Sequence, residues 1–124
     1  MNKANTDKLN ADFPRIFPDP FHFECSDGWF DLIHKLCADL TDECVKLGLT
    51  DTDWPTPAQI KEKYGALNIN INRSQDSINA LIEAAEARSM QTCECCGLPG
   101  VERDTNWIRV TCNVCEALLT KRKT

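Results

Sequence analysis

Residues 93–115 read CECCGLPGVERDTNWIRVTCNVC, and this stretch decides how the end of the chain folds. Cys93-x-x-Cys96 and Cys112-x-x-Cys115 are separated by 15 residues, within the spacing of four-thiolate zinc sites. A two-residue gap lets one tight turn aim two sulfurs at an ion about 2.3 Å away. Gly97, directly after the first pair, allows the positive backbone angle that turns amides toward sulfur. The intervening residues suit a hairpin, with arms at 101–103 and 107–111 and a turn at 104–106. EALLTKRK, after Cys115, is a good helical sequence. A helix beginning between Cys112 and Cys115 gives the order knuckle, hairpin, helix, a treble-clef-like arrangement. Adjacent Cys95 and Cys96 would point their sulfurs apart, and Cys93 with Cys95 leaves a gap of one residue. The expected ligands of Zn2+ are therefore Cys93, Cys96, Cys112 and Cys115, with Cys95 spare.

The rest of the chain sets the context for that site. Eight cysteines in 124 residues would suit a secreted disulfide scaffold. However, the polar start MNKANTDKLNADF has no apolar signal core, and no run nears the ~18 apolar residues of a membrane span. A cytoplasmic protein is expected, in which clustered thiols hold metal. A thioredoxin-like dithiol lacks its βαβ surroundings and would leave the second pair without a role. Cys25, Cys37 and Cys44 read as small apolar core residues rather than as a second metal site with His22 or His34.

Charge divides the chain. Residues 1–90 carry 9 Lys/Arg against 15 Asp/Glu, a net of −6, whereas residues 91–124 carry 5 against 4. The expected organisation is an acidic body over 1–90 and a zinc-binding module over 91–124. Such a body offers no face for general DNA binding. The fold class expected is α+β, a mainly helical body with one short strand plus the zinc-binding hairpin and helix.

Within the body, Pro14, Pro18 and Pro20 exclude a continuous helix, so residues 1–25 read as an irregular arm across the core. Residues 26–48 read as a long helix with Trp29, Ile33, Leu36, Cys37, Leu40, Cys44 and Leu47 on one face. Ser26 or Asp27 would cap its start, and Gly48 would end it. Thr56-Pro57-Ala58-Gln59 resembles a capping box and predicts a short helix over 57–64, ended by Gly65. ALNININ, residues 66–72, alternates as a half-buried strand. Its expected partners are the segment 21–23 or a strand of the C-terminal hairpin. A second long helix is expected over 74–90, burying Ile78, Leu81, Ile82 and Ala85.

Catalytic signatures are missing. Residues 91–124 contain no histidine, which excludes the His-Asn-His nuclease chemistry that treble clefs sometimes carry. No GxSxG, GxxxxGK[ST] or HExxH motif occurs. His34, with Asp27 and Asp31 nearby, reads as a surface histidine. The expectation is a protein that is not an enzyme.

Three stretches in order resemble a family of small uncharacterised phage and prophage proteins. They are Glu24-Cys25-x-Asp27-Gly28-Trp29, Lys61-Glu62-Lys63-Tyr64-Gly65-x-Leu67, and Cys93-Glu94-x-Cys96-Gly97-x-Pro99-Gly100 with Trp107 and Cys112-x-x-Cys115. The family's Leu-Arg-Phe-aromatic strand is here Leu67-Asn68-Ile69-Asn70. The resemblance implies a phage origin, hence a bacterial host cytoplasm, and a zinc-bearing tail; it implies no activity. The expected role is a zinc-containing accessory protein that binds a host protein or complex, for instance in counter-defence against a CRISPR or restriction complex, its acidic body complementing a basic channel. The alternative is a small nucleic-acid-binding zinc module, with Arg103, Trp107, Arg109, Lys121, Arg122 and Lys123 as a basic patch around one stacking aromatic. A charged tail and a packing tryptophan account for those residues more simply.

Overall fold

A computed structural model describes residues 1–104 and 106–121. Among them are four α-helices and two two-stranded antiparallel sheets, an α+β architecture. The helices are α1 (Lys3–Asp12), α2 (Phe30–Lys46), α3 (Asp76–Ser89) and α4 (Asn113–Lys121). One sheet pairs β1 (Pro57–Lys63) with β2 (Ala66–Ile71), and the other pairs β3 (Val101–Arg103) with β4 (Arg109–Thr111).

The expected irregular arm is in fact half helical. α1 precedes all three prolines, and the Asn2 side chain caps it by accepting the Asn5 N–H at 2.8 Å. Only Leu9 of α1 is buried, so the helix carries almost no apolar periodicity to betray it. Residues 13–25 then cross the core as expected, burying Ile16, Phe17, Phe23 and Cys25.

α2 forms where its period predicts, preceded by a 3-10 turn over Asp27–Trp29. Ile33, Leu36, Cys37, Leu40 and Cys44 are buried with Trp29, whereas Leu47, past the helix end, is exposed. Gly48 has φ +67, the left-handed stop that was expected. Asp27 and Ser26 do not cap this helix. Instead, the Asp27 carboxylate accepts the Asn2 N–H (2.7 Å) and Asn5 Nδ2 (3.2 Å), pinning α1 to the start of α2.

The helix expected over 57–64 is a strand. Tyr64 (φ 53) and Gly65 (φ 87) are consecutive left-handed residues, as a two-residue hairpin turn requires. Lys61-Glu62-Lys63 therefore runs along a strand, and Gly65 turns a hairpin rather than ending a helix. Glu62 Oε2 accepts the Gly65 N–H at 2.7 Å and steadies the turn. The partner of β2 is thus β1, with Ile60 opposite Ile69 and Glu62 opposite Leu67. Neither expected partner forms a ladder with β2. Glu24, the residue after the 21–23 segment, bridges the far edge of β1 instead, its N–H donating to Ile60 O while Glu62 N–H donates to Glu24 O.

α3 covers the hairpin with Ile78, Ile82 and Ala85 buried. Two of its side chains complete the edge of β2. Ser89 Oγ accepts the Leu67 N–H at 2.9 Å while donating to Glu86 O, and Glu86 Oε2 accepts the Ile69 N–H at 3.0 Å. Trp29, Ile33 and Ile78, each 0% exposed, lie at the centre of the core. The end of α3 delivers the chain to the first cysteine pair beside Trp29, whose Nε1 donates to Thr92 O at 3.1 Å.

Candidate metal centre

The knuckle is built from backbone hydrogen bonds before any sulfur is considered. Gly97 N–H donates to Cys93 O (2.8 Å) and Cys93 N–H to Leu98 O (2.7 Å), closing a turn around 93–98. Gly97 takes φ +83, the left-handed angle the spacing called for. Glu94 N–H reaches Val110 O at 3.0 Å, which fastens the knuckle to β4. β4 leads through Cys112 into α4, which begins at Asn113 and so carries Cys115 in its first turn. Knuckle, hairpin and helix follow one another in the expected order.

This path gathers the sulfurs of Cys93, Cys96, Cys112 and Cys115 within 4.8 Å of one another. Cys96 and Cys112 sulfurs are 3.7 Å apart. A tetrahedron whose vertices lie about 2.3 Å from its centre has edges of about 3.8 Å, so this separation fits a shared ion of zinc-like radius. Among the described residues no other group of His, Cys, Asp or Glu converges in this way. Burial would push the Cys93 thiol up, but backbone N–H groups of Cys112, Cys96 and Cys95 outweigh it and bring the thiol down to about 7. The Cys115 backbone N–H, 3.4 Å from Cys112 Sγ, likewise favours the Cys112 thiolate. Amides aimed at sulfur are the outer support that thiolate metal sites use.

Cys95 is exposed, and its sulfur lies outside the four-membered group. Cys25, Cys37 and Cys44 are buried in the body, and burial pushes the thiols of Cys25 and Cys37 up to about 12. His34 sits on α2, where Nε2 lies 2.9 Å from Asp12 of α1 and the ring packs edge-on to Phe13. Its carboxylate partner is thus Asp12 rather than Asp27 or Asp31.

The centre is joined to the body at a tight seam. Gly28 N–H donates to Glu94 O at 2.7 Å, and Glu94 Oε2 accepts the Ser26 N–H at 3.0 Å. Burial raises the Glu94 carboxyl above its ordinary value. A Cβ on Gly28 would lie 2.3 Å from Cys93 O and 2.3 Å from Glu94 O. Gly28, near the start of the helix expected over 26–48, is also where body and knuckle touch. At the other end of the seam, Gly65 of the β1–β2 turn lies against Ile108 and Arg109.

No protein-family model, curated protein or solved structure matches this chain.

Among the described residues, Arg103 and Arg109 both bond to neighbours within 91–124. Arg109 makes a two-pronged ion pair with Glu116 (2.9 and 2.8 Å) between β4 and α4, holding the Glu116 carboxyl down to about 2. Arg103 donates to Thr111 Oγ1, Thr111 O and Asn113 Oδ1. Trp107 is exposed and shares a cleft with Tyr64 of the β1–β2 turn. Lys121 ends α4; Arg122 and Lys123, with Thr105 of the expected hairpin turn, lie outside the described residues. The Arg109–Glu116 pair, seven residues apart across a strand–helix corner, gave no periodic signal that sequence reading could have used. Among the described residues no helix is long and apolar enough to cross a membrane.

Proposed function

We propose that this chain is a zinc-braced, non-enzymatic binding protein that acts by docking onto another protein. The observation that carries the reading is the four-sulfur cluster with its 3.7 Å edge between Cys96 and Cys112. Four thiolates suit Zn2+, and a site with all four positions taken by protein is structural rather than catalytic. When bound, the ion supplies cross-linking of knuckle to helix and no reactive water. Only Cys93, Val110 and Thr111 are buried among the described residues of 91–124, so little apolar burial holds this region together. Structural zinc contributes on the order of 10–16 kcal/mol of apparent binding energy, enough to take over that task.

A protein partner is favoured over nucleic acid because Arg109 is neutralised internally by Glu116 and Arg103 is occupied by three neutral oxygens. The body's net −6 suits a partner with a basic channel. Motif likeness to phage and prophage proteins extends the proposal to an accessory protein in a bacterial cytoplasm that intercepts a host complex.

Metal content and partner capture test the two halves separately. The purified protein is expected to carry one zinc per chain by elemental mass spectrometry. Cys96→Ser and Cys112→Ser should lose it, whereas Cys95→Ser should keep it. Equal loss from Cys95→Ser refutes the ligand assignment. Cross-linking the tagged protein in a bacterial host should yield a discrete protein partner; recovery of nucleic acid alone, lost at moderate salt, refutes the docking role.

A further inference from the structure

The second cysteine pair stands at the corner where β4 ends and α4 begins, and the side chains around it form one connected set. Thr111 precedes Cys112, and Glu116 follows Cys115. Thr111 Oγ1 donates to Glu116 Oε1 at 2.8 Å, so a neighbour of one sulfur ligand is bonded directly to a neighbour of the other. Arg109 closes on the same carboxylate from β4, with Nε at 2.9 Å and Nη2 at 2.8 Å. Arg103 Nε donates to Thr111 Oγ1 at 3.1 Å, which leaves the hydroxyl proton for Glu116. Arg103 Nη2 reaches Thr111 O and Asn113 Oδ1, one residue on each side of Cys112. The backbone joins the set, because the Glu116 N–H donates to Cys112 O at 2.9 Å.

Stability alone does not account for this arrangement. Thr111 is 1% exposed, and the Arg109 and Glu116 side chains are 13% and 19% exposed. Taking an ion pair that far out of water costs much of what the pairing returns, and apolar residues of similar volume would serve stability as well. What a two-pronged guanidinium–carboxylate contact adds is direction, since both N–H bonds must be met at once. The direction fixed here is that of the first turn of α4 against β4, which sets where Cys115 stands relative to Cys112. The first pair is set differently, by the backbone bonds that close the turn around 93–98.

We propose that Glu116, clamped by Arg109 and Thr111, is the positioning residue of the metal centre and holds Cys112 and Cys115 in place before an ion arrives. This rests on the metal-centre reading above and adds which residue makes half of the site preformed. Supporting residues of metal sites commonly bond the ligand itself. Glu116 acts instead through the backbone of its neighbour Cys115. A preformed pair spares the ion the cost of ordering the corner, so the network is felt as metal affinity.

The test is the zinc affinity of the full chain, measured by competition with a chromophoric chelator, together with amide exchange of the metal-free chain. Glu116→Gln keeps the shape and loses the charge, and it should weaken zinc binding about 10–100-fold. Thr111→Val, which keeps the buried shape without the hydroxyl, should weaken it in the same direction. Arg109→Gln combined with Glu116→Gln should cost no more than either change alone, as expected of a pair that acts as one unit. Gly48→Ala separates positioning from general stability, because it strains the body's backbone at φ +67 and should leave zinc affinity unchanged. In the metal-free wild type the Glu116 amide should exchange slowly, and in Glu116→Gln the same amide should exchange fast. Wild-type zinc affinity in Glu116→Gln, an equal loss in Gly48→Ala, or fast exchange at Glu116 in the metal-free wild type would overturn the proposal. A wild-type chain that takes up no zinc defeats the metal reading and this proposal with it. A zinc-bound wild type beside an equally tight Glu116→Gln defeats the positioning role alone.

Discussion

Gly28→Ala is the sharpest perturbation the structure offers. Gly28 has no positive φ to demand glycine, so any penalty must come from space alone. The new methyl would meet two carbonyl oxygens, Cys93 O and Glu94 O, each at 2.3 Å, where ordinary contacts begin at 3.4 Å. Relief requires the knuckle to move away from the 3-10 turn by about 1 Å, and overpacking of that kind costs about 1–3 kcal/mol. That shift also breaks the Gly28 N–H to Glu94 O bond, adding about 1 kcal/mol. The expected loss is roughly 2–4 kcal/mol. Chemical denaturation of the zinc-loaded protein, followed by tryptophan emission, reads it directly, because Trp29 Nε1 bonds Thr92 O within the same seam. Gly48→Ala is the internal control. Nothing lies within 4 Å of its added Cβ, but φ is +67, so the change should cost only about 1 kcal/mol from backbone strain. If Gly28→Ala is no more destabilising than Gly48→Ala, the seam is not packed as described and the reasoning fails.

Two further outcomes follow from buried groups. Ser89→Ala removes the buried side-chain acceptor of the Leu67 N–H and should cost about 1–3 kcal/mol in the same denaturation assay; a neutral result would mean the amide finds another partner. Alkylation of the native zinc-loaded protein should modify Cys95 alone, because it is exposed and its sulfur stands outside the four that would hold the metal. Mass-mapped labelling of Cys25 or Cys37, both buried with raised thiols, would contradict the core described here.

The parts of the fold that were legible share a property: their signal is local and repeated. α2 and α3 announce themselves by apolar period, β2 by strict alternation, and the metal ligands by two identical gaps at a suitable distance. β1 was misread because Thr56-Pro57-Ala58-Gln59 imitates a helix start, and the segment up to Lys63 buries only Ile60. What makes it a strand is Tyr64 in a left-handed conformation, which a non-glycine residue does not advertise. α1 escaped because one residue, Leu9, anchors it. Arg103 and Arg109 looked available for a polyanion, yet their partners Thr111, Asn113 and Glu116 sit across a corner that only folding creates. The second duty of Gly28 was equally hidden, since its contact lies 66 residues away at Glu94.

The four sulfurs differ in how far they sit from bulk water: Cys93 is 0% exposed, whereas Cys96 is open to solvent. A chelator would reach an ion held here from the Cys96 side, and the innermost ligand it would have to displace is Cys93. That sulfur belongs to the residue whose carbonyl faces Gly28. Release of a bound ion would thereby be geared to loosening the contact at Gly28, and its lifetime on the protein would report how often that contact opens.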